Sequence, residues 1–66
     1  MIIIKTWQAR KERKMTLEDL AKLTGISKTT LNDIENSKTC PTLNQLETIS
    51  KALGVRMSDL YDSKYK

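Results

Sequence analysis

Histidine and phenylalanine are absent from this 66-residue chain, and cysteine and proline occur once each and glycine twice. Each scarcity removes a class of explanation. A single thiol, Cys40, and no imidazole leave no disulfide framework, no zinc-ligand spacing and no Cys/His or Ser/His couple for nucleophilic chemistry. No grouping of acid, base, nucleophile or metal ligands stands out, so the chain reads as a non-enzyme with no cofactor and no metal. The longest apolar run is at the start, MIIIKTWQ, where polar and basic residues follow the isoleucines at once. That is too short for a signal segment or a membrane span, and the expectation is a cytoplasmic chain with no membrane partner. Few glycines and prolines, and no sustained apolar/polar alternation, argue against a sheet and for an all-α fold.

Sixty-six residues make one domain, below the size at which a single core is comfortable, so the apolar residues must serve one cluster. Reinforcement has to come from helix packing or a partner chain. Net charge is +4 and the isoelectric point is near 9.4, a mild preference for a polyanion. Residues 1–14 carry five positive charges and one negative, 15–40 carry three and four, and 41–66 carry four and three. The excess sits in the first helix, where a solvated charged face is the plain explanation.

Five helices are expected. The first covers about Thr6 to Lys14, with a thin apolar stripe through Trp7 and Ala9 that Met15 continues. Thr16 is a good N-cap for the second, with Glu18 and Asp19 in the first turn, and Leu17, Leu20, Ala21 and Leu23 run to a stop at Gly25. Ser27 caps the third, which reaches about Asn36 with only Leu31 and Ile34 as apolar residues. The fourth opens at Thr42, with Gln45 completing a capping box, and sets Leu43, Leu46, Ile49 and Leu53 on one face before Gly54. A short fifth is expected over about Ser58 to Tyr61. Residues 1–5 form an arm and 62–66 a fraying tail. Two helices joined by a short glycine-containing turn, Leu17 to about Asn36, have the spacing of a helix-turn-helix, and also of a plain α-hairpin.

The stretch MTLEDLAKLTGISKTTLNDIENSK, followed by CPTLNQLETISKALGVRMSDLY, resembles the phage repressor and Cro type of helix-turn-helix DNA-binding protein, also called the xenobiotic-response-element family. The similarity covers about Arg10 to Tyr61. It implies a compact five-helix domain, with helices 2 and 3 forming the helix-turn-helix and helix 3 entering the major groove of double-stranded DNA. By that resemblance Lys28, Thr29, Asn32 and Asp33 face base edges. Lysine suits guanine or phosphate, asparagine suits adenine, and threonine offers a methyl or a hydroxyl. Asp33 can accept from cytosine but is more easily read as a solvated acid, and Thr30 as bonding back to the turn before it. Phosphate contacts are implied near Thr16 and Leu17, near Thr42 and Leu43, and at Ser27, Asn36 and Lys38. Many relatives have Gln where this chain has Leu17, so only a backbone N–H can serve there. Arg10 and Glu35 match a structural ion pair of the family.

The function implied is a sequence-specific transcriptional regulator, with repression the safer expectation, that binds an operator as a homodimer. Its alternative is a protein-interaction module, such as an antitoxin-like subunit whose DNA binding is secondary, with a protein partner for the apolar arm. Cys40 reads as a passive loop residue. Trp7 can be a core anchor, a dimer contact or a surface aromatic, and the core is expected because large residues are few. Ile2, Ile3 and Ile4 suit either a short strand or an arm pairing with another subunit. The dimer patches expected are this arm and the last helix with Met57 and Tyr61.

Overall fold

The computed structural model describes residues 2–66, so Met1 of the expected arm lies outside the described residues. In chain order the elements are β1 (Ile3–Ile4), α1 (Thr6–Glu12), α2 (Leu17–Thr24), α3 (Lys28–Glu35), α4 (Leu43–Leu53), a single 3₁₀ turn (Met57–Leu60) and β2 (Tyr61–Asp62). Three helices start from a hydroxyl residue in extended backbone. Thr16, Ser27 and Thr42 each accept a hydrogen bond from the backbone N–H three residues on. Gly25 and Gly54 then end α2 and α4 at φ 74° and 69°, a conformation in which a Cβ strains the chain even though open space surrounds both positions.

α1 stops two residues before the expected Lys14. Arg13 and Lys14 donate their N–H groups to Arg10 and Lys11 in tight closing turns, and Lys14 takes φ 55°, which carries the chain away from the helix axis. The expected fifth helix is corrected to one 3₁₀ turn, so the described residues form four α-helices. It cannot extend through Tyr61 because Tyr61 and Asp62 run antiparallel to β1, in the register Ile3↔Asp62 and Ile4↔Tyr61. Lys5 N–H donates to Leu60 at 2.8 Å beside this ladder. The all-α expectation therefore holds for the body of the domain but misses a two-residue ladder joining its ends. The strand alternative for the isoleucines is met by Ile3 and Ile4, with a partner from the same chain. Asp62, expected in the fraying tail, belongs to that ladder.

The core is aliphatic. Leu20, Leu31, Ile34, Ile49 and Leu60 are almost completely buried, and Ala9, Leu46 and Leu53 close around them. Each fully buried leucine or isoleucine contributes about 1.5–3 kcal/mol relative to exposure. Trp7 is not part of the core: it is 49% exposed. Thr6, Ala9 and Arg10 define the inward side of α1, spaced three and four residues apart, and Trp7 is out of phase with them. Small residues on that side let α1 lie close, and the Lys11 ammonium sits 5.7 Å from the Trp7 ring centre on the outside. Leu23 and Leu43, expected on buried faces, are also exposed. Leu43 is the first residue of α4 and lies ahead of the inward row Leu46, Ile49 and Leu53.

Candidate nucleic-acid interface

α3 is held from below and open above. Leu31 and Ile34 fix its inner side, one turn apart, in contact with α2 and α1. The opposite side presents Lys28, Thr29 and Asn32 to solvent, with Asp33 half-buried at its flank. Of the four residues expected to face bases, three therefore share one exposed surface. Asn36 donates its amide to Asn32 Oδ1 at 3.2 Å, a bond that leaves the Asn32 amide nitrogen as a donor. Thr30 is turned back: its N–H and its Oγ1 both bond to the Ser27 hydroxyl.

The orientation of α3 rests on an ion pair. Arg10 Nε and Nη2 donate to the two carboxylate oxygens of Glu35 at 2.7 and 3.0 Å, and Nη1 donates to the Met15 carbonyl at 2.8 Å. The side chains are 9% and 4% exposed. A two-pronged guanidinium contact of this kind fixes direction as well as distance, so it ties α1, the turn after it and the end of α3 into one unit. Charges buried in this way cost desolvation, and the third bond to Met15 offsets part of that.

Helix starts supply the remaining donors, and their caps decide which donors are free. At α2 the Asp19 carboxylate accepts from Thr16 N–H at 3.1 Å, and at α4 the Gln45 carbonyl accepts from Thr42 N–H at 2.9 Å. Thr16 and Thr42 therefore have their own N–H groups occupied. The free groups at these sites are those of the first helical turn, beginning with Leu17 and Leu43. At α3 no side chain reaches back, and Ser27 N–H makes no hydrogen bond within the described residues. The hydrogen bond from the Thr16 N–H, with the Thr16 hydroxyl close by, holds the Asp19 carboxyl below the usual carboxylate range, with the nearby Lys22 adding to the effect.

Thr16, Leu17 and Lys28 line a shared cleft of about 540 Å³ with Lys11, Lys14 and Glu18. Lys28 Nζ lies 3.4 Å from Glu18 in a solvent-exposed pair, a contact worth little and easily exchanged for another anion. Lys11 and Lys14 were not among the expected site residues. The signal for them was the charge excess of the first segment; what the sequence hid was the turn at Lys14 that brings the end of α1 beside the start of α2. Arg13, from the same basic run, instead donates to the Leu53 carbonyl and caps the end of α4. Lys38 is exposed just beyond α3, its N–H bonded to the Asp33 carbonyl, and Asn36 caps that helix end. Among the described residues no group of carboxylates or cysteine has the arrangement of a metal site, and no helix is long and apolar enough to cross a membrane.

Comparison with known proteins agrees with this geometry. The model of the helix-turn-helix family matches residues 8–60. The immunity repressor protein of Bacillus phage phi105 is 43% identical over 49 residues, which is 74% of this chain and 34% of that protein. The HTH-type transcriptional regulator SinR of Bacillus subtilis (strain 168) is 38% identical over 60 residues, 89% of this chain and 54% of that one. The chain thus spans about a third and about half of the lengths of these two relatives. The solved N-terminal DNA binding domain of SinR matches with a TM-score of 0.80 at 34% identity, covering 92% of this chain and 90% of that one.

Proposed function

Because the chain belongs to the helix-turn-helix family, we propose that it is a sequence-specific, double-stranded DNA-binding transcriptional regulator that represses by occupying an operator. The observation that carries this reading is the two-sided character of α3: Leu31 and Ile34 buried, with Lys28, Thr29 and Asn32 exposed in its first two turns. A helix about 10–12 Å across with hydrogen-bonding side chains on its free side fits a major groove of similar width. The names of the relatives, a repressor and a transcriptional regulator, and the solved DNA binding domain that matches nearly the whole chain, support the same reading.

The roles divide by chemistry. Lys28, Thr29 and Asn32 meet base edges, Asp33 borders them, and Ser27, Asn36 and Lys38 hold the phosphates at either end of α3. Leu17 and Leu43 donate backbone N–H groups from the starts of α2 and α4, with Thr16 and Thr42 setting those helix starts in place. Arg10 and Glu35 position α3 and touch no DNA. Two copies bind as a homodimer in the cytoplasm, their α3 helices in successive major grooves about 34–36 Å apart.

Equilibrium binding to mixed duplex DNA across a range of salt concentrations tests the electrostatic part. The expected result is a steep loss of affinity, with a slope of about −0.9 per phosphate neutralised. Absent or salt-insensitive binding overturns the reading. Selection from random duplexes then tests the rest, with paired half-sites expected at the spacing above.

A further inference from the structure

We propose that the face formed by β1 and the residues around Cys40 and Leu43, whose two clefts have no charged lining residue, is where a second copy of this chain docks. The proposal rests on the DNA-binding reading for the value of a dimer, but its evidence is separate. Five of the clefts on the surface of the described residues differ in charge. Three of them are lined by side chains of both signs, Lys28 and Glu18 in one, Lys51 and Glu47 in another, Arg13 and Asp59 in the third. The remaining two, of about 240 and 340 Å³, have no charged lining residue. They adjoin, because Ile2, Ile4 and Cys40 line both.

In a chain of net charge +4, two copies repel wherever their cationic surfaces meet. A two-fold interface brings the same patch together with itself, so it needs a surface whose electrostatics tolerate its own copy. This face meets that condition. Its apolar content is also available: Ile2 is 56%, Ile3 59% and Leu43 74% exposed, in a small domain with few large apolar residues to leave in water. Pro41 and Tyr61 extend it, and Ser37 and Thr39 give it a polar margin. An acidic or basic partner finds no counter-charge among the residues lining these two clefts.

The backbone adds a means of pairing. Among the described residues β1 and β2 form a two-stranded sheet, so there β1 has one edge with no strand against it. Two such edges related by a two-fold axis run antiparallel, which gives both copies the same hydrogen bonds. An unpaired apolar edge is otherwise an invitation to uncontrolled association, which the shortness of β1 and Lys5 at its end limit.

Cys40 supplies a built-in reporter, because it is exposed in the single chain and lines both cavities. Sedimentation equilibrium should show a concentration-dependent dimer, and alkylation of the Cys40 thiol should slow as protein concentration rises through that range. Ile3→Lys should weaken the dimer by ~tenfold or more by setting like charges across the axis. At concentrations where the unmutated chain is monomeric, it should leave the melting temperature and the salt-dependent binding of a short mixed duplex in place. Ile2→Lys serves as a second variant should Ile3→Lys fail to fold. A protein that stays monomeric, or a dimer in which Cys40 reacts at an unchanged rate, overturns the proposal. Loss of duplex binding by the unmutated chain defeats the DNA-binding reading instead and leaves the sedimentation result standing.

Discussion

Ser27 and Thr42 each cap a helix from extended backbone with a hydroxyl that accepts from the third residue inside, yet α3 turns Lys28 and Thr29 outward where α4 turns Leu43. The caps differ in one further respect. Gln45 reaches back to the Thr42 N–H, while the matching position on α3 holds Thr30, whose side chain is too short to return the bond. A half-closed cap followed by donors makes a polar surface with a spare N–H at Ser27. A closed cap followed by leucine leaves backbone N–H groups for an anion and an apolar side chain for a neighbour. The same local device thus prepares one helix start for base edges and the other for phosphate and protein.

The inner sides of the two helices separate them most strongly. α4 buries aliphatic side chains and the uncharged Ser50 hydroxyl, which donates to the Glu47 carbonyl, whereas α3 adds the charged Glu35 carboxylate to its aliphatic anchors. Glu35→Ala leaves Arg10 buried without its partner and should cost about 3–5 kcal/mol. A domain of this length has on the order of 3–10 kcal/mol in total, so urea denaturation should show a chain near unfolding. Replacing both charges by methionine should recover most of that loss. Recovery would place the cost in the stranded charge; no recovery would mean that the pair itself holds the fold.

The outer sides give the next effect. Asn32→Ala should lose about 1–3 kcal/mol of discrimination at one base pair, read from competition between selected duplexes. Lys38→Ala should weaken all duplexes alike and reduce the salt slope by about 1. Leu43→Ala, by contrast, should change stability by less than about 0.5 kcal/mol in thermal melts, since its side chain is mostly in solvent. If Asn32→Ala and Lys38→Ala behave identically, the division between reading and holding on α3 fails.

The parts legible in the sequence are those decided by neighbours in the chain. Thr16, Ser27, Thr42, Gly25 and Gly54 mark helix ends because capping and left-handed conformations are local chemistry. Leu31 and Ile34 mark the buried side of α3 because their spacing fixes it. Trp7 misled because size suggests burial, whereas phase relative to Thr6, Ala9 and Arg10 decides it. Tyr61 looked helical because its partner, Ile4, lies at the far end of the chain. Lys11 and Lys14 were invisible as site residues for a similar reason: only the turn at Lys14 places them beside Thr16 and Lys28. The Arg10–Glu35 pair spans 25 positions and was suggested by resemblance, since nothing local to either residue points to the other.

The smallest predicted effect contrasts the two closed caps. The α2 cap is closed by a carboxylate and the α4 cap by an uncharged carboxamide. The Asp19 pKa is depressed in the folded chain by the hydrogen bond from the Thr16 N–H, by the nearby Thr16 hydroxyl and by Lys22. Its contribution is therefore present above the unfolded value of about 3.9 and is lost as pH falls through the lower folded value. Asp19→Asn keeps an oxygen acceptor while removing the titration. Melting curves of the two proteins between about pH 6 and about pH 2 should differ most at the upper end and converge at the lower. Asp59, also held low by the Arg56 N–H, titrates in both proteins and cancels in the difference. Gln45→Glu should carry the same acid sensitivity to α4, where the Thr42 N–H and the helix start favour a negative charge. Parallel melting profiles for Asp19→Asn and the unmutated chain would show that the hydroxyl alone caps α2 and that the carboxylate is a bystander.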